Sequence, residues 1–319
     1  MIRHGKYEDI PQLKILWKQA FGDEDEYRDD FFRRVFRPEY TLCEVQNGII
    51  TAMLYKLPCT VRTYGDKAQN AWYFYALATK RDWRGKGIMG RLIAAAKEEI
   101  FSDGDQMIFL IPAEQSLVDY YLRFQFQPMN KISSFYINNR LEERDATQRS
   151  EEPAGDKTIS QAARGTSGER IFLEKTGLSS AERGGAAELM SRRWTYTNCN
   201  VSFPKEIEMF CLDWLLADKE SCFYKIVSSG EIIGFLQGNI KKQMFHINYY
   251  GMSKPCWNEL GSALSRAGVC QTEVLSYINP DKASFSDTAA IPVTAGASSP
   301  LISVCARQQV REIHGVIPI

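Results

Sequence analysis

The sequence predicts a mixed α/β (α+β) protein in two lobes, each made of strands with flanking helices. Segments with helical and strand-like spacing of apolar residues alternate in the first half of the chain, and their order recurs in outline in the second half. Residues 138–169 contain no aromatic residue and few large aliphatic ones, so we expect a linker or long loop there. The predicted divisions are therefore 1–137, 138–169 and 170–319.

Two helices and a hairpin are predicted at the start of the chain. In DIPQLKILWKQAF the apolar residues, up to Phe21, recur at helical spacing after an Asp9 cap, and EDEYRDDFFRRVF predicts a second helix. Residues 41–46 and 49–57 predict two strands joined by an Asn-Gly turn, which is a strong hairpin signal.

The strand AWYFYALAT at residues 71–79 leads into a glycine-rich segment. A helix is predicted from Ile88 onward, followed by a buried strand in QMIFLIP and another helix in EQSLVDYYLRF. The first lobe therefore has the predicted order α, α, β, β, β, loop, α, β, α, β.

The second lobe is predicted to repeat this order without the glycine loop. The corresponding place reads INYYGMSKPCWNEL, with one lysine and no Arg-x-x-Gly, so we expect no phosphate site there. The predicted helices are 180–194, 204–217 and 256–266, and the predicted strands are 222–228, 231–238, 243–250, 271–278 and 301–306.

Composition excludes several classes of partner. Lysine plus arginine equals aspartate plus glutamate at 39 each, so no overall field favours nucleic acid or an anionic membrane. The eight cysteines include no C-x-x-C pair, and we expect reduced core thiols. The three histidines are too dispersed for a metal site, and no apolar run of about 18 residues is present. A soluble cytoplasmic protein without a metal is therefore expected.

The segment WRGKGIMGRL, residues 83–92, has three interpretations. Its glycines can simply permit a tight turn from strand to helix. The literal G-x-G-x-x-G also matches a dinucleotide fingerprint, but five residues separate the strand from the first glycine and no acidic residue closes the next strand. Basic residues around the loop and the free N–H groups of a helix start favour a polyphosphate instead.

The stretch from Arg84 to Gly90 resembles the R/Q-x-x-G-x-G/A pyrophosphate loop of the GCN5-related N-acetyltransferases. The resemblance implies a mixed central sheet flanked by helices, and it implies that the backbone of Leu77 and Thr79 meets the pantetheine arm of acetyl-coenzyme A. Met89 departs from the small residue that is usual at the sixth place. The residues implied to surround the pyrophosphate are Arg84, Gly85, Lys86, Gly87, Ile88, Met89 and Gly90.

A second resemblance lies in PAEQSLVDYYLRFQF, which is similar to the later helix of that family and its Tyr-x-x-x-Gly-Phe ending. Tyr121 and Phe126 are in register, and Gln125 replaces the glycine. The matching tyrosine implies that Tyr121 protonates the leaving thiolate, unless the ring only packs in the core. Tandem lobes resemble the enhanced-intracellular-survival branch, which implies that the terminal carboxylate, here on Ile319, enters the active site.

These observations predict an acetyl-coenzyme A-dependent N-acetyltransferase that acts on a primary amine of a small molecule or peptide. The acidic stretch GDEDEYRDD at residues 22–30 either favours a cationic acceptor or is a solvated helix start. Two alternatives stay open: a non-catalytic coenzyme A-binding scaffold, suggested by Gln125 and Met89, and a Fem-type aminoacyl transferase, which the neutral charge balance disfavours. The acceptor's identity and homo-oligomer formation are left open by the sequence.

Overall fold

The structure is a computed structural model, and the part of the chain that it describes is discontinuous after residue 63. The linker predicted at 138–169 lies outside this part except for its first residue, as do residues 307–319. The described residues are 1–63, 68–104, 107–114, 116–131, 133–138, 171–175, 179, 182–186, 199–217, 222–241, 244–252, 257–266, 269, 271–276, 290–292 and 301–306.

Helices and strands alternate much as the apolar spacing predicts. The helices are α1 (Ile10–Phe21), α2 (Asp25–Arg34), α3 (Ile88–Ser102), α4 (Ser116–Leu122), α5 (Lys205–Ala217) and α6 (Trp257–Arg266). The strands of the first half are β1 (Ile2–His4), β2 (Thr41–Gln46), β3 (Ile49–Thr63), β4 (Gln69–Thr79), β5 (Met107–Leu110), β6 (Gln127–Lys131) and β7 (Ser133–Asn138). Those of the second half are β8 (Ile171–Lys175), β9 (Cys199–Ser202), β10 (Cys222–Ser228), β11 (Glu231–Lys241), β12 (Met244–Met252), β13 (Gln271–Ser276), β14 (Ala290–Pro292) and β15 (Leu301–Ala306).

The first sheet has the strand order β1-β2-β3-β4-β5-β15-β6, with β9 paired to the far end of β3. Its neighbouring strands are antiparallel except for β4 and β5, which are parallel and are connected through α3. The hairpin between β2 and β3 turns at Asn47 and Gly48, whose φ angles of 50° and 76° fit the predicted two-residue turn. The mixed α/β class and the mixed central sheet are therefore confirmed.

Helices cover both faces of this sheet. On one face, here called the α3 face, Phe74 and Leu54 pack with Leu92 of α3 and with Tyr121 of α4. On the opposite face, Trp17 of α1 joins a large aromatic cluster with α2, β3 and β4. Leu13, Leu16 and Trp17 of α1 are buried as its spacing predicts, whereas Phe21 at the helix end is exposed.

The second sheet has the order β14-β7-β13-β12-β11-β10-β8 and also contains one parallel pair, β12 with β13, connected through α6. Its order around that pair repeats the arrangement of β4, α3 and β5, as the sequence predicts in outline. The residues between β12 and α6, 253–256, lie outside the described residues.

The two sheets exchange strands across the division predicted at residue 137. Strand β15 from the end of the chain lies between β5 and β6 of the first sheet, and β7 lies next to β13 of the second sheet. Strand β9 also joins the first sheet. The boundaries 1–137 and 170–319 therefore do not coincide with the sheets, because pairing partners are chosen by long-range packing that a local pattern does not encode.

A continuous core and several polar contacts connect the two halves. Helix α5 packs on α2, where Trp214 Nε1 donates to Asp30 at 3.0 Å and Arg34 lies 2.9 Å from Asp213. Phe210 of α5 and Phe235 of β11 belong to the same core cluster as Trp17. The helices of the described part include none that is long and apolar enough to cross a bilayer.

Candidate functional site

The parallel strands β4 and β5 separate near the middle of the first sheet. Their register pairs Ala71, Trp72 and Tyr73 with Met107, Ile108 and Phe109, and it ends there, although β4 continues to Thr79. Beyond Tyr73 no residue of β5 pairs with β4, and this stretch of β4 that leads toward the glycine loop is here called the opening. This stretch contains Leu77 and Thr79, whose backbone the resemblance implies to meet the pantetheine arm.

A bulge in β4 lies beside this opening. Ala76 and Leu77 face the single residue Leu54 of β3, and Ala76 has a φ of 48°, in the left-handed region. The extra residue shifts the alternation of side chains, so that Leu77 packs on the α3 face while Tyr75 and Ala76 pack on the opposite face. Thr79 lies opposite Ala52, which is on the α3 face. Leu77 and Thr79 thus follow the opening on the same side as α3.

The glycine loop connects β4 to α3 through two left-handed residues, Gly85 with φ 76° and Gly87 with φ 68°. Gly87 is the N-cap of α3, and a Cβ on Gly85 would meet open space. Among the described residues, none accepts a hydrogen bond from the backbone N–H groups of residues 85–90. Because these donors lie at the positive end of a 15-residue helix, the loop is built to receive an anion.

The side chains at the start of α3 explain the large residue in the loop. Ile88 is buried, and Met89 is half-buried against the same core cluster as Tyr121. Ile88 and Met89 can therefore contact a ligand in the loop only through their backbone N–H groups. A small residue is not needed at position 89, because the side chain there packs into the core beneath the loop.

The basic residues of the loop divide into exposed cations and a paired arginine. Arg84 donates from Nε to the Thr79 carbonyl at 3.1 Å, Lys86 lies over the Trp83 ring at 4.6 Å, and both side chains are exposed. Arg91 instead forms a fork with Glu44 of β2, with Nη2–Oε1 at 2.7 Å and Nε–Oε2 at 3.2 Å. Sequence reasoning missed this partner, since a strand position 47 residues away carries no local signal.

Tyr121 is buried on the α3 face, with its ring against those of Tyr120 and Phe126. Burial raises the pKa of Tyr121 above that of an exposed phenol, and the nearby Tyr120 adds to the shift. The phenol therefore stays protonated at neutral pH. Of the two neighbouring tyrosines, the structure buries the one that the sequence favours, and it leaves Tyr120 half-buried.

Two positions link α4 to α3. A Cβ on Gly90 would come within 3.0 Å of Cε1 of Phe124, so Gly90 permits close packing as well as offering its N–H group. Gln125, in the place of the family's glycine, has a φ of 64° and is left-handed despite its side chain. Lys97 of α3 donates to the Phe124 carbonyl at 2.7 Å. Helix α4 is thus held at a fixed distance from the loop helix.

The acidic stretch at residues 22–30 is largely paired within its own helices. Asp23 accepts from Trp17 Nε1 at 2.6 Å, Asp25 lies 3.3 Å from Lys18, and Asp29 lies 3.0 Å from Lys14. Asp30 contacts further basic side chains of α2. The structure therefore supports the solvated, charge-paired helix start and not a dedicated site for a cationic acceptor.

Ile319, the other residue predicted to be catalytic, lies outside the described residues. Groups of His, Cys, Asp and Glu suited to a metal ion are absent from the part of the chain that the structure describes. Cys43, Cys59 and Cys211 are buried, as expected for core thiols.

The glycine loop, the bulge in β4 and the short β4–β5 register are features that can be compared with known proteins. Residues 1–129 match the family model of the acetyltransferase (GNAT) domain. Over these residues the chain is thus similar to the GCN5-related N-acetyltransferases, in agreement with the resemblance of the glycine loop and of the Tyr121 helix.

Solved structures show the same fold over nearly the whole chain. They include a conserved protein of Enterococcus faecalis described as a probable N-acyltransferase, with TM-score 0.69 and 13% identity over 96% of this chain and 72% of that one. Eis1 from Mycobacterium abscessus has TM-score 0.64 and 12% identity, covering 95% and 73%. N-myristoyltransferase from Saccharomyces cerevisiae, with bound myristoyl-CoA, has TM-score 0.51 and 11% identity, covering 95% and 82%. A search of curated proteins finds no match.

Proposed function

We propose that this protein transfers the acetyl group of acetyl-coenzyme A to a primary amine of a small molecule or peptide. The observation that carries the proposal is the row of N–H groups at residues 85–90 that find no acceptor among the described residues, in the loop that follows the unpaired end of β4. A pyrophosphate is the anion that such a cradle suits, because its several oxygens can accept from successive backbone donors. The yeast neighbour with bound myristoyl-CoA supports a coenzyme A ligand in this fold.

The binding roles follow from the position of each group along the opening. Arg84 through Gly90 receive the pyrophosphate, chiefly through backbone N–H groups, with the exposed Arg84 and Lys86 side chains adding positive charge. The pantetheine arm then follows the edge of β4 on the β5 side, where Leu77 lies beyond the end of the β4–β5 register. Thr79 offers its backbone one step closer to the loop. The arm therefore takes the place of the missing strand partner in the opening.

Acetyl-coenzyme A supplies a thioester, and the chemistry that remains for the chain is proton transfer and exclusion of water. The neutral amine nitrogen forms a bond to the acyl carbon as the C–S bond breaks, the nitrogen then loses one proton to water, and the departing sulfur gains one. The group that protonates sulfur regains its own proton from solvent. Tyr121 holds its proton because burial raises its pKa, and we assign its Oη as the donor to sulfur. Its position on the α3 face, in the same core cluster as Leu77 and Ile88, supports this role.

The terminal carboxylate of Ile319 is proposed to orient the acceptor amine or a relay water. Strand β15 joins the first sheet beside β5 and ends at Ala306, next to Met107. Thirteen residues remain beyond Ala306, and fully extended they would span about 45 Å, whereas β5 itself is only about 13 Å long. The end of the chain can therefore reach the opening from the strand that the structure places beside it.

A transfer assay with a panel of amines tests this function. Wild-type protein is mixed with acetyl-coenzyme A and with aliphatic polyamines, amino sugars, lysine peptides or peptides with a free N-terminus, and free thiol release and acetylated product are measured. We expect at least one acceptor to gain one acetyl group, with release of one free thiol from acetyl-coenzyme A. Tight binding of acetyl-coenzyme A without transfer to any acceptor would favour the non-catalytic scaffold instead.

A further inference from the structure

Arg91 contacts both a strand of the sheet and the backbone of the glycine loop. Its Nε and Nη2 atoms form the fork with Glu44, and its Nη1 donates to the Lys86 carbonyl at 3.1 Å. Lys86 lies between the two left-handed glycines, Gly85 and Gly87. One guanidinium therefore connects β2 to the middle of the loop whose N–H groups have no acceptor among the described residues.

Glu44 is a fixed anchor for this contact. Its side chain is only 5% exposed, and it also accepts from Gln46 Nε2 at 2.8 Å. Burial raises the pKa of Glu44, but the hydrogen bonds from Arg91 and Gln46 lower it by more, so the carboxyl is ionised at neutral pH. Two parallel hydrogen bonds to a buried carboxylate fix the orientation of an arginine side chain in addition to attracting its charge.

We propose that Arg91 and Glu44 form a positioning pair that holds the Lys86 carbonyl, and with it the N–H groups of the loop, in the arrangement that receives the pyrophosphate. The proposal rests on the proposed coenzyme A site. The Lys86 carbonyl is held by its hydrogen bond from Arg91, and the left-handed glycines on either side give the loop the freedom that the pair removes. Preorganisation of this kind strengthens binding by lowering the ordering cost.

A different role for Arg91 would be direct contact with phosphate, and the two roles predict opposite effects of Glu44. If Arg91 is a phosphate ligand, Glu44→Gln releases it, and acetyl-coenzyme A binds equally well or more tightly. If Arg91 positions the loop through Glu44, loss of either partner weakens binding, and loss of both adds little to loss of one.

Calorimetric titration of acetyl-coenzyme A into the single and double variants of Arg91 and Glu44 measures whether their effects add. We expect Arg91→Gln and Glu44→Gln each to weaken binding about tenfold, and the double variant to lie within about twofold of the weaker single variant. Arg91→Lys keeps the charge but lacks the fork, so it should weaken binding almost as much as Arg91→Gln. With a good acceptor, KM for acetyl-coenzyme A should rise while kcat at saturation stays within about twofold.

The Arg3–Asp9 pair supplies a matched control. It is also a bidentate fork, with Nη1–Oδ2 at 2.6 Å and Nη2–Oδ1 at 2.9 Å, and it joins β1 to the start of α1 without touching the loop. Arg3→Gln should lower thermal stability to a similar extent as Arg91→Gln while leaving acetyl-coenzyme A affinity within about twofold. A drop in affinity for both variants would assign the Arg91 effect to general destabilisation.

Limited trypsin digestion tests the loop without coenzyme A. The loop contains cleavage sites after Arg84 and Lys86, and cleavage there requires the loop to leave its compact conformation. We expect Arg91→Gln and Glu44→Gln to raise cleavage at these two sites at least about fivefold, with Arg3→Gln unchanged. If wild-type protein fails to bind acetyl-coenzyme A, the proposed function is wrong, and digestion still decides whether the pair holds the loop. Unchanged digestion, or tighter binding by Glu44→Gln, would overturn the proposal.

Discussion

A Cβ atom on Gly90 would lie 3.0 Å from Cε1 of Phe124, so the loop helix and the turn after the Tyr121 helix approach as closely as a glycine permits. This contact joins the two parts of the proposed site, since Gly90 is in the first turn of α3 and Phe124 lies two residues after the end of α4. The distance between the proposed anion-binding loop and the proposed proton donor is therefore set by the packing of the Phe124 ring against Gly90.

Replacing Gly90 by alanine should lower turnover more than stability. The added methyl must displace the Phe124 ring, an overpacking cost of about 1–3 kcal/mol, while alanine in the helix regains about 1 kcal/mol of propensity. Because α4 shifts with the ring, we expect Gly90→Ala to reduce kcat at least about tenfold, with acetyl-coenzyme A affinity changed by less than about threefold. Steady-state kinetics and titration measure the two effects.

Two further variants decide whether the ring is responsible. Gly90→Ala combined with Phe124→Leu should recover much of the turnover, because the smaller side chain makes room. Gly184→Ala, at a glycine with nothing within 4 Å of the added atom, should leave turnover unchanged. Failure of the Phe124→Leu rescue would show that the contact does not place α4.

Tyr121→Phe should remove the proposed proton donor without removing the ring. We expect turnover to fall at least about 10²-fold, while acetyl-coenzyme A affinity stays within about twofold. Since burial raises the pKa of Tyr121, the phenol stays neutral between about pH 6 and 9, and the variant should lower the pH–rate profile without moving its inflections. The half-buried neighbour gives the control, because Tyr120→Phe should retain most activity. Wild-type turnover by Tyr121→Phe would assign Tyr121 to packing alone.

Gln125→Gly should stabilise the protein. Gln125 is held at a φ of 64°, where a side chain costs about 1–2 kcal/mol that glycine avoids, although glycine gives back part of this through unfolded-state entropy. We therefore expect a gain of about 0.5–1 kcal/mol in the free energy of unfolding, measured by urea denaturation. Gln125→Ala keeps the strain and should show no gain. A loss of stability in Gln125→Gly would show that the Gln125 side chain contributes more than its strain costs.

Truncation of the C-terminus should have two distinct effects that depend on length. Removal of everything from Leu301 onward deletes β15, which lies between β5 and β6, so the first sheet loses an interior strand and should not fold cooperatively. Removal of Pro318 and Ile319 alone should preserve the thermal unfolding transition and acetyl-coenzyme A binding but lower turnover. Full turnover in this shorter truncation would exclude the Ile319 carboxylate from the reaction.

Local features of the fold could be predicted from sequence, and its strand partners could not. The spacing of Leu13, Leu16 and Trp17 places one face of α1 in the core, and the Asn47-Gly48 turn fixes the hairpin register. Strand β3 extends past its predicted end at residue 57 and includes Pro58. On the edge of β3 that pairs with β2 and β9, Pro58 lies between the two paired segments. A residue there needs no backbone hydrogen bond to a neighbouring strand, so the strand tolerates proline. The exchange of β7 and β15 depends on pairings between residues far apart in the chain, which apolar alternation does not specify.

The same division holds for the site. The glycine loop and Tyr121 could be found because each is a short motif next to a helix boundary, and the structure agrees with the predicted burial of Tyr121. In the sequence Arg91 is one of the basic residues around the loop, whereas in the structure it pairs with Glu44 on another strand. Only the fold brings the Glu44 carboxylate to the loop. The sequence therefore could not show which basic residues are available to bind a ligand and which one holds the loop in position.

Calorimetric titration of wild-type protein with acetyl-coenzyme A, compared with NAD⁺, tests the central claim most directly. We predict one acetyl-coenzyme A site per chain with a dissociation constant between about 1 and 100 μM and no binding of NAD⁺. Gly87→Ala should weaken binding at least about tenfold, because φ 68° at the N-cap strains any side chain, whereas Gly104→Ala, equally left-handed at the far end of α3, should not. No heat with acetyl-coenzyme A at about 1 mM, or saturable binding of NAD⁺ in its place, would contradict the account.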